Sequence, residues 1–82
     1  MQLIYGSTML CLSNAMRVGV GGSSTTSTEI HLSFGDHASC LSIPGKHTPE
    51  MQRDLMIEIG RYMGTDRTYE IDDDLRLTWV QR

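Results

Sequence analysis

The sequence has few of the residues that define several common protein classes. Its 82 residues include only two cysteines, two prolines, one phenylalanine and one tryptophan. A disulfide-built secreted scaffold has a much higher cysteine density, so we expect Cys11 and Cys40 to be reduced thiols. No apolar run approaches the roughly 20 residues of a membrane span, and no basic start precedes an apolar run as in a signal peptide. These absences predict a soluble protein of the cytoplasm, that of the host cell if the protein is viral.

Basic residues are also scarce, with seven Lys and Arg against ten Asp and Glu. Nucleic-acid binders normally carry a basic excess, so the formal net charge of −3 argues against direct binding to nucleic acid. The charge is uneven along the chain. Residues 1–47 carry four formal charges that cancel, whereas residues 48–82 carry eight acids and five bases. The acidic half predicts complementarity to a basic surface.

A helix is predicted from Pro49 to Met63. Thr48 can accept a backbone N–H as the N-cap, proline suits the first helical position, and Gly64 is placed for a left-handed C-terminal cap. The spacing of 3.6 residues predicts one apolar face. This face comprises Met51, Leu55, Met56, Ile59, Tyr62 and Met63.

Period-two alternation in residues 15–20 and 29–34 predicts two half-buried strands. The segment between them has no lysine and precedes a strand, so it lacks the context of a phosphate loop and predicts a long hairpin connection. Further strands are predicted in residues 2–12, 37–43, 67–71 and 75–80. The inward face of the first hairpin is predicted to contain Met16, Val18, Val20, Ile30, Leu32 and Phe34.

Strands, one helix and more strands, without regular βα alternation, predict the α+β class. We expect a single α+β domain over residues 1–82, with an antiparallel β-sheet and one helix packed across its face. Whether residues 3–12 form one strand or two stays open.

No motif indicates catalysis, a cofactor or a metal, and we predict a non-enzymatic protein. The acidic tract 72–74 lacks the EF-hand pattern and predicts a solvated turn. The pair His37-x-x-Cys40 has no second pair, as a structural zinc site needs. We therefore expect His31 on a solvent-exposed strand face, His37 and His47 in loops, and two buried thiols.

The composition favours a small protein-binding module that acts as an inhibitor by occupying a basic surface of a partner protein. In size and charge the chain resembles small accessory proteins of bacteriophages, such as antagonists of host-defence enzymes, although no residue motif carries this resemblance. Three features support partner contact: the acidic C-terminal half, the apolar Ile57 on the charged helix face, and the hydroxyl-rich residues of the 21–28 loop. The predicted contact residues are Glu50, Asp54, Ile57, Glu58, Asp72, Asp73 and Asp74.

Two alternatives belong to other classes. One is a structural subunit of a larger assembly that pairs through an exposed strand edge. The other is an oligomer, for which a homodimer would suffice, that sequesters a nucleotide or phosphate between its copies. Its predicted ligand-binding residues are Arg17, Gly21, Gly22, Ser23, Ser24, Thr25, Thr26 and Lys46.

Overall fold

The chain folds into seven strands and one helix in the residues that the structure, a computed structural model, describes, namely 1–22 and 26–80. The α+β class with one helix is thereby confirmed. In chain order the elements are β1 (Gln2–Tyr5), β2 (Thr8–Cys11), β3 (Arg17–Gly21), β4 (Ser27–Ser33), β5 (Ala38–Pro44), α1 (Pro49–Tyr62), β6 (Thr68–Ile71) and β7 (Leu77–Trp79).

The strands divide between two sheets, of order β2-β1-β6-β7 and β3-β4-β5. Neighbouring strands are antiparallel except for β1 and β6, which are parallel with Leu3 opposite Tyr69. The first strands form a hairpin because Gly6 adopts the left-handed conformation, with φ +59°. The chain therefore has two strands within residues 3–12, which the sequence left open.

The predicted hairpin of β3 and β4 is confirmed, with Val20 opposite Ile30. Ile30 and Leu32 are buried, whereas His31 between them is exposed, as the alternation predicts. Met16 was expected on the inward face, and this expectation is wrong. It precedes β3 and is 78% exposed, because its backbone pairs with Ser33 without directing its side chain into the core.

The helix begins as predicted. The Thr48 hydroxyl accepts a hydrogen bond from the Met51 N–H at 3.1 Å, and Pro49 occupies the first turn. The helix runs closest to β3. Its buried residues are Leu55 and Ile59. Met56 was expected on this face but is 44% exposed, because it lies at the outer edge of the apolar arc.

The helix ends without the left-handed glycine that the sequence predicts. Met63 at the C-cap is right-handed, and Gly64 does not adopt a positive φ. The Tyr62 carbonyl instead accepts hydrogen bonds from the Thr65 amide at 3.0 Å and the Thr65 hydroxyl at 2.7 Å. These bonds satisfy a carbonyl that has no partner within the helix.

One apolar cluster joins both sheets and the helix. Tyr62 stacks on Tyr69 beside it, with ring centroids 4.9 Å apart. The buried members of this cluster are Met1, Leu3, Leu12, Ile30, Leu32, Leu41, Ile43, Leu55, Ile59, Tyr69, Ile71 and Leu75.

Within residues 1–22 and 26–80, no helix is long and apolar enough to cross a membrane.

Candidate functional site

The three consecutive aspartates have three different environments in the turn between β6 and β7. The Asp72 carboxylate accepts the backbone N–H groups of Asp74 and Arg76, each at 2.9 Å. Asp73 accepts the Tyr5 hydroxyl at 2.7 Å, which raises the pKa of Tyr5 because the bond and the nearby negative charge favour the protonated phenol. The predicted turn is confirmed. The Asp72 carboxylate stabilises the turn internally, and the Asp73 carboxylate links the turn to β1.

Asp74 instead lines a groove between the helix and the start of β7. The groove has a volume of ≈ 560 Å³. Its charged lining consists of Asp54, Glu58, Asp74 and Arg76, and we call it the acidic groove. Its apolar lining is Met51, Leu55, Leu75 and Leu77.

Helical spacing explains how α1 contributes half of this lining. Positions separated by three or four residues lie on one helix face. Met51, Asp54, Leu55 and Glu58 have this spacing, so carboxylates and apolar side chains alternate along one edge.

Leu75 closes the groove on the other side. It has φ +62°, the one left-handed residue other than glycine in residues 1–22 and 26–80, yet its side chain is 5% exposed. Left-handed backbone costs a residue with a Cβ roughly 1–2 kcal/mol. The Asp72 carboxylate, which accepts the amides on both sides of Leu75, and burial of the leucine side chain offset this cost.

The structure thus brings together three of the seven predicted contact residues. Glu50 and Ile57 are exposed on the helix but do not line the acidic groove, and Ile57 is 47% exposed. Asp72 and Asp73 lie in the adjoining turn. The sequence did not indicate the apolar lining, since it requires contact between segments about 20 residues apart.

A second set of polar groups resembles a nucleophile, a base and an orienting group. Thr28 Oγ1 lies 2.7 Å from His47 Nδ1, and His47 Nε2 lies 2.6 Å from the Asp73 carbonyl oxygen. A carbonyl only accepts, so Nε2 carries a proton, and in the neutral imidazole Nδ1 accepts a hydrogen bond from the Thr28 hydroxyl. Gln52 Nε2 donates to the same hydroxyl oxygen at 2.9 Å. Because Thr28 is 0% exposed, no substrate can reach it, and these bonds connect β4, the helix and the 72–76 turn.

The backbone conformation of Gly45, two residues before His47, favours glycine. Gly45 has φ +129°, and a Cβ there would lie 3.2 Å from His47 Nε2. Its amide donates to the Thr26 carbonyl at 2.8 Å. Lys46, the next residue, therefore lies near Thr26, which directly precedes β4.

The predicted phosphate-binding set is divided by the structure. Arg17 pairs with Ser33 at one end of β3, whereas Gly21 pairs with Glu29 at the other end. Arg17 and Gly21 are four residue steps apart along the strand, which is roughly 13 Å at ~3.3 Å per residue. Gly22 packs tightly, since a Cβ there would lie 2.5 Å from the Ser27 carbonyl oxygen. Ser23, Ser24 and Thr25 lie outside the described residues.

The expectation of two buried thiols is wrong, because Cys11 and Cys40 are both exposed. Cys11 lies in an edge strand and forms a 3.6 Å hydrogen bond with Ser13. Hydrogen bonds from the backbone and hydroxyl of Ser13 lower the pKa of Cys11. Cys11 also lines a groove of ≈ 550 Å³, together with Met9, Leu10, Asn14, Leu32, Phe34, His37 and Ser39.

Cys40 lies in β5 directly opposite His31 of β4. The expected exposure of His31 is confirmed, and Glu29 lies two residues before it on the same face. Potential ligand atoms of these three residues are all within 4.8 Å of one another. Cross-strand register therefore places His31, and not His37, directly opposite Cys40.

No protein-family model, curated protein or solved structure gives a significant match to this chain.

Proposed function

We propose that the protein is a binding module that accepts a basic, partly apolar segment of a partner protein in the acidic groove. The observation that carries this proposal is the position of Asp54, Glu58 and Asp74 around an apolar lining. The occupant is a protein segment with Arg or Lys side chains for the carboxylates and an apolar side chain for the leucines.

Charge complementarity favours this occupant. Three carboxylates and one guanidinium, that of Arg76, line the groove. Within residues 1–22 and 26–80, the only ion pairs join Glu29 with His31 and Asp36 with His37. None of the three groove carboxylates therefore forms an ion pair with a basic side chain in this part of the protein. An arriving cation therefore displaces no internal ion pair.

The apolar lining supplies the second part of the interaction. A volume of ≈ 560 Å³ is within the range of ordinary binding pockets and suits one or two large side chains better than a whole domain. Burial of apolar area contributes roughly 25 cal/mol per Å². The carboxylates would then orient the segment and accelerate its association, while apolar contact slows its dissociation.

Inhibition follows from occupancy in this proposal. A basic segment that is held in the groove is withheld from nucleic acid, nucleotide or another acidic protein. The antagonist role expected from size and charge is consistent with this mechanism, which needs no catalytic group.

A synthetic amphipathic peptide rich in Arg and Leu, followed by fluorescence anisotropy, tests the proposal. The groove variant replaces three charges as Asp54→Asn, Glu58→Gln and Asp74→Asn. Surface ion pairs contribute about 0.2–1 kcal/mol each, so this variant should bind roughly tenfold more weakly at low salt. A matched control changes the same net charge outside the groove, as Asp36→Asn, Asp66→Asn and Glu70→Gln.

Unchanged binding of the control with weaker binding of the groove variant supports the proposal. Equal weakening of both variants would show that net charge alone attracts the peptide, and no weakening of either would exclude the groove as its site. The groove substitutions are preferable to charge reversal of residues 72–74, because Asp72 and Asp73 also hold the turn.

A further inference from the structure

The outward face of the three-stranded sheet carries small side chains around one polar cluster. Register places three residues of β3 and four residues each of β4 and β5 on this face. Gly19 lies beside His31 and Gly21 beside Glu29, and a Cβ at either glycine would meet no atom within 4 Å. The remaining positions of the face are Arg17, Ser27, Ser33, Ala38, Cys40, Ser42 and Pro44.

Three different ligand types meet in this cluster. A Glu29 carboxylate oxygen lies 4.0 Å from His31 Nε2, beyond hydrogen-bond distance, and the Cys40 thiol lies within 4.8 Å of a ligand atom of each. The side chains of His31 and Glu29 are 57% and 28% exposed. The cluster is therefore open to a solute from one side.

We propose that Glu29, His31 and Cys40 bind one divalent transition-metal ion of the zinc class, with a remaining coordination position open to water. Carboxylate oxygen, imidazole nitrogen and thiolate sulfur are the three donor types that Zn²⁺ uses in proteins. Ca²⁺ and Mg²⁺ prefer sets made of oxygen alone, so the thiol and imidazole select against them.

The strands hold these ligands close to the required arrangement. Bonds of about 2.0–2.3 Å to a tetrahedral ion need ligand atoms roughly 3.3–3.8 Å apart. Small rotations of exposed side chains close the remaining distance, since glycines occupy the neighbouring strand positions. The backbone need not move, because His31 and Cys40 are direct cross-strand partners.

Metal binding exchanges a proton for the ion. A cysteine binds a metal ion as its thiolate, so the Cys40 thiol must lose its proton on coordination. Coordination forms the bond between sulfur and the metal, breaks the S–H bond and releases the proton to solvent. The negative charge of the Glu29 carboxylate attracts the cation to the cluster.

Titration of the metal-free chain with Co²⁺ tests the site by absorption spectroscopy. Thiolate coordination produces a sulfur-to-cobalt charge-transfer band in the near ultraviolet, and four-coordinate Co²⁺ absorbs strongly in the visible. Zn²⁺ should displace Co²⁺ and remove both signals. The variants Glu29→Gln, His31→Ala and Cys40→Ser should each raise the Kd at least about tenfold, and Cys40→Ser should abolish the charge-transfer band.

Cys11→Ser and His37→Ala are matched controls, because they remove the other exposed thiol and another exposed imidazole. They should leave the spectrum and Kd unchanged. A charge-transfer band that survives Cys40→Ser, that disappears with Cys11→Ser, or that never forms in the wild type would overturn the proposal. In the unsubstituted chain, Zn²⁺ should protect Cys40 but not Cys11 from alkylation, and equal alkylation would also exclude the site.

Discussion

The two faces of β4 carry similar polar groups, but these groups have different roles. On the inner face, Thr28 is fully buried and bonds to His47 and Gln52. On the outer face, Glu29 and His31 approach each other to 4.0 Å and remain partly exposed. The imidazole of His47, which bonds to the inner face, has a partner at each ring nitrogen. The imidazole of His31 on the outer face can still bind a metal ion as a ligand. Polar groups that are satisfied inside hold the fold, and polar groups left open outside can bind a solute.

Adjacent residues of this strand provide the largest contrast. Ile30→Ala removes a fully buried side chain and should lower the free energy of unfolding by about 2–5 kcal/mol. His31→Ala, one position later on the exposed face, should change it by less than about 0.5 kcal/mol. Urea unfolding followed by circular dichroism measures both. Similar losses in the two variants would contradict the assignment of inner and outer faces.

The buried hydroxyl should have the next largest effect. Thr28→Val keeps the side-chain shape but leaves Gln52 Nε2 and His47 Nδ1 without their shared partner. A buried polar group that loses its partner costs about 1–3 kcal/mol, so the urea midpoint should fall accordingly. Ser42→Ala on the outer face of β5 is the control and should be nearly neutral. A neutral Thr28→Val would show that these bonds contribute little to stability.

The smallest expected effect is a shift in thiol reactivity. Hydrogen bonds from Ser13 lower the pKa of Cys11. The pKa of Cys40 is raised, mainly by desolvation and to a smaller extent by the negative charge of Glu29. The thiolate is the nucleophile, and its fraction increases as pH rises through the pKa. Alkylation of Cys11 by iodoacetamide in the presence of a chelator should therefore reach half its maximal rate at a lower pH than alkylation of Cys40.

Peptide mass spectrometry across a pH series measures both rates in one sample. Glu29→Gln should move the Cys40 profile to lower pH and leave the Cys11 profile in place. Coincident profiles in the wild type, or a shift at both cysteines, would contradict the assigned causes.

Local patterns in the sequence predict the elements well. Alternation at Val18, Val20, Ile30 and Leu32 indicates the hairpin, because strand geometry has a period of two. Thr48 and Pro49 locate the start of the helix, because capping depends on adjacent residues. The burial of Leu55 and Ile59 follows from helical spacing in the same way.

Tertiary relationships were beyond such patterns. The parallel pairing of β1 with β6 has no local signature. The meeting of His31 with Cys40 depends on the register that the turn before β5 imposes. The end of the helix was also mispredicted, because a hydroxyl at Thr65 does what was expected of Gly64.

The parallel pairing of β1 with β6 also bears on how the chain is made. The strands of the β3-β4-β5 sheet are consecutive, so this sheet can form while later residues are still in the ribosome. The β1-β2 hairpin leaves the ribosome earlier, but Leu3 cannot pair with Tyr69 until β6 has left the ribosome as well. Until then one edge of β1 lacks its partner, and an unpaired edge is a template for association with other nascent chains. We therefore expect slow translation of the chain between β2 and β6 to favour aggregation through β1.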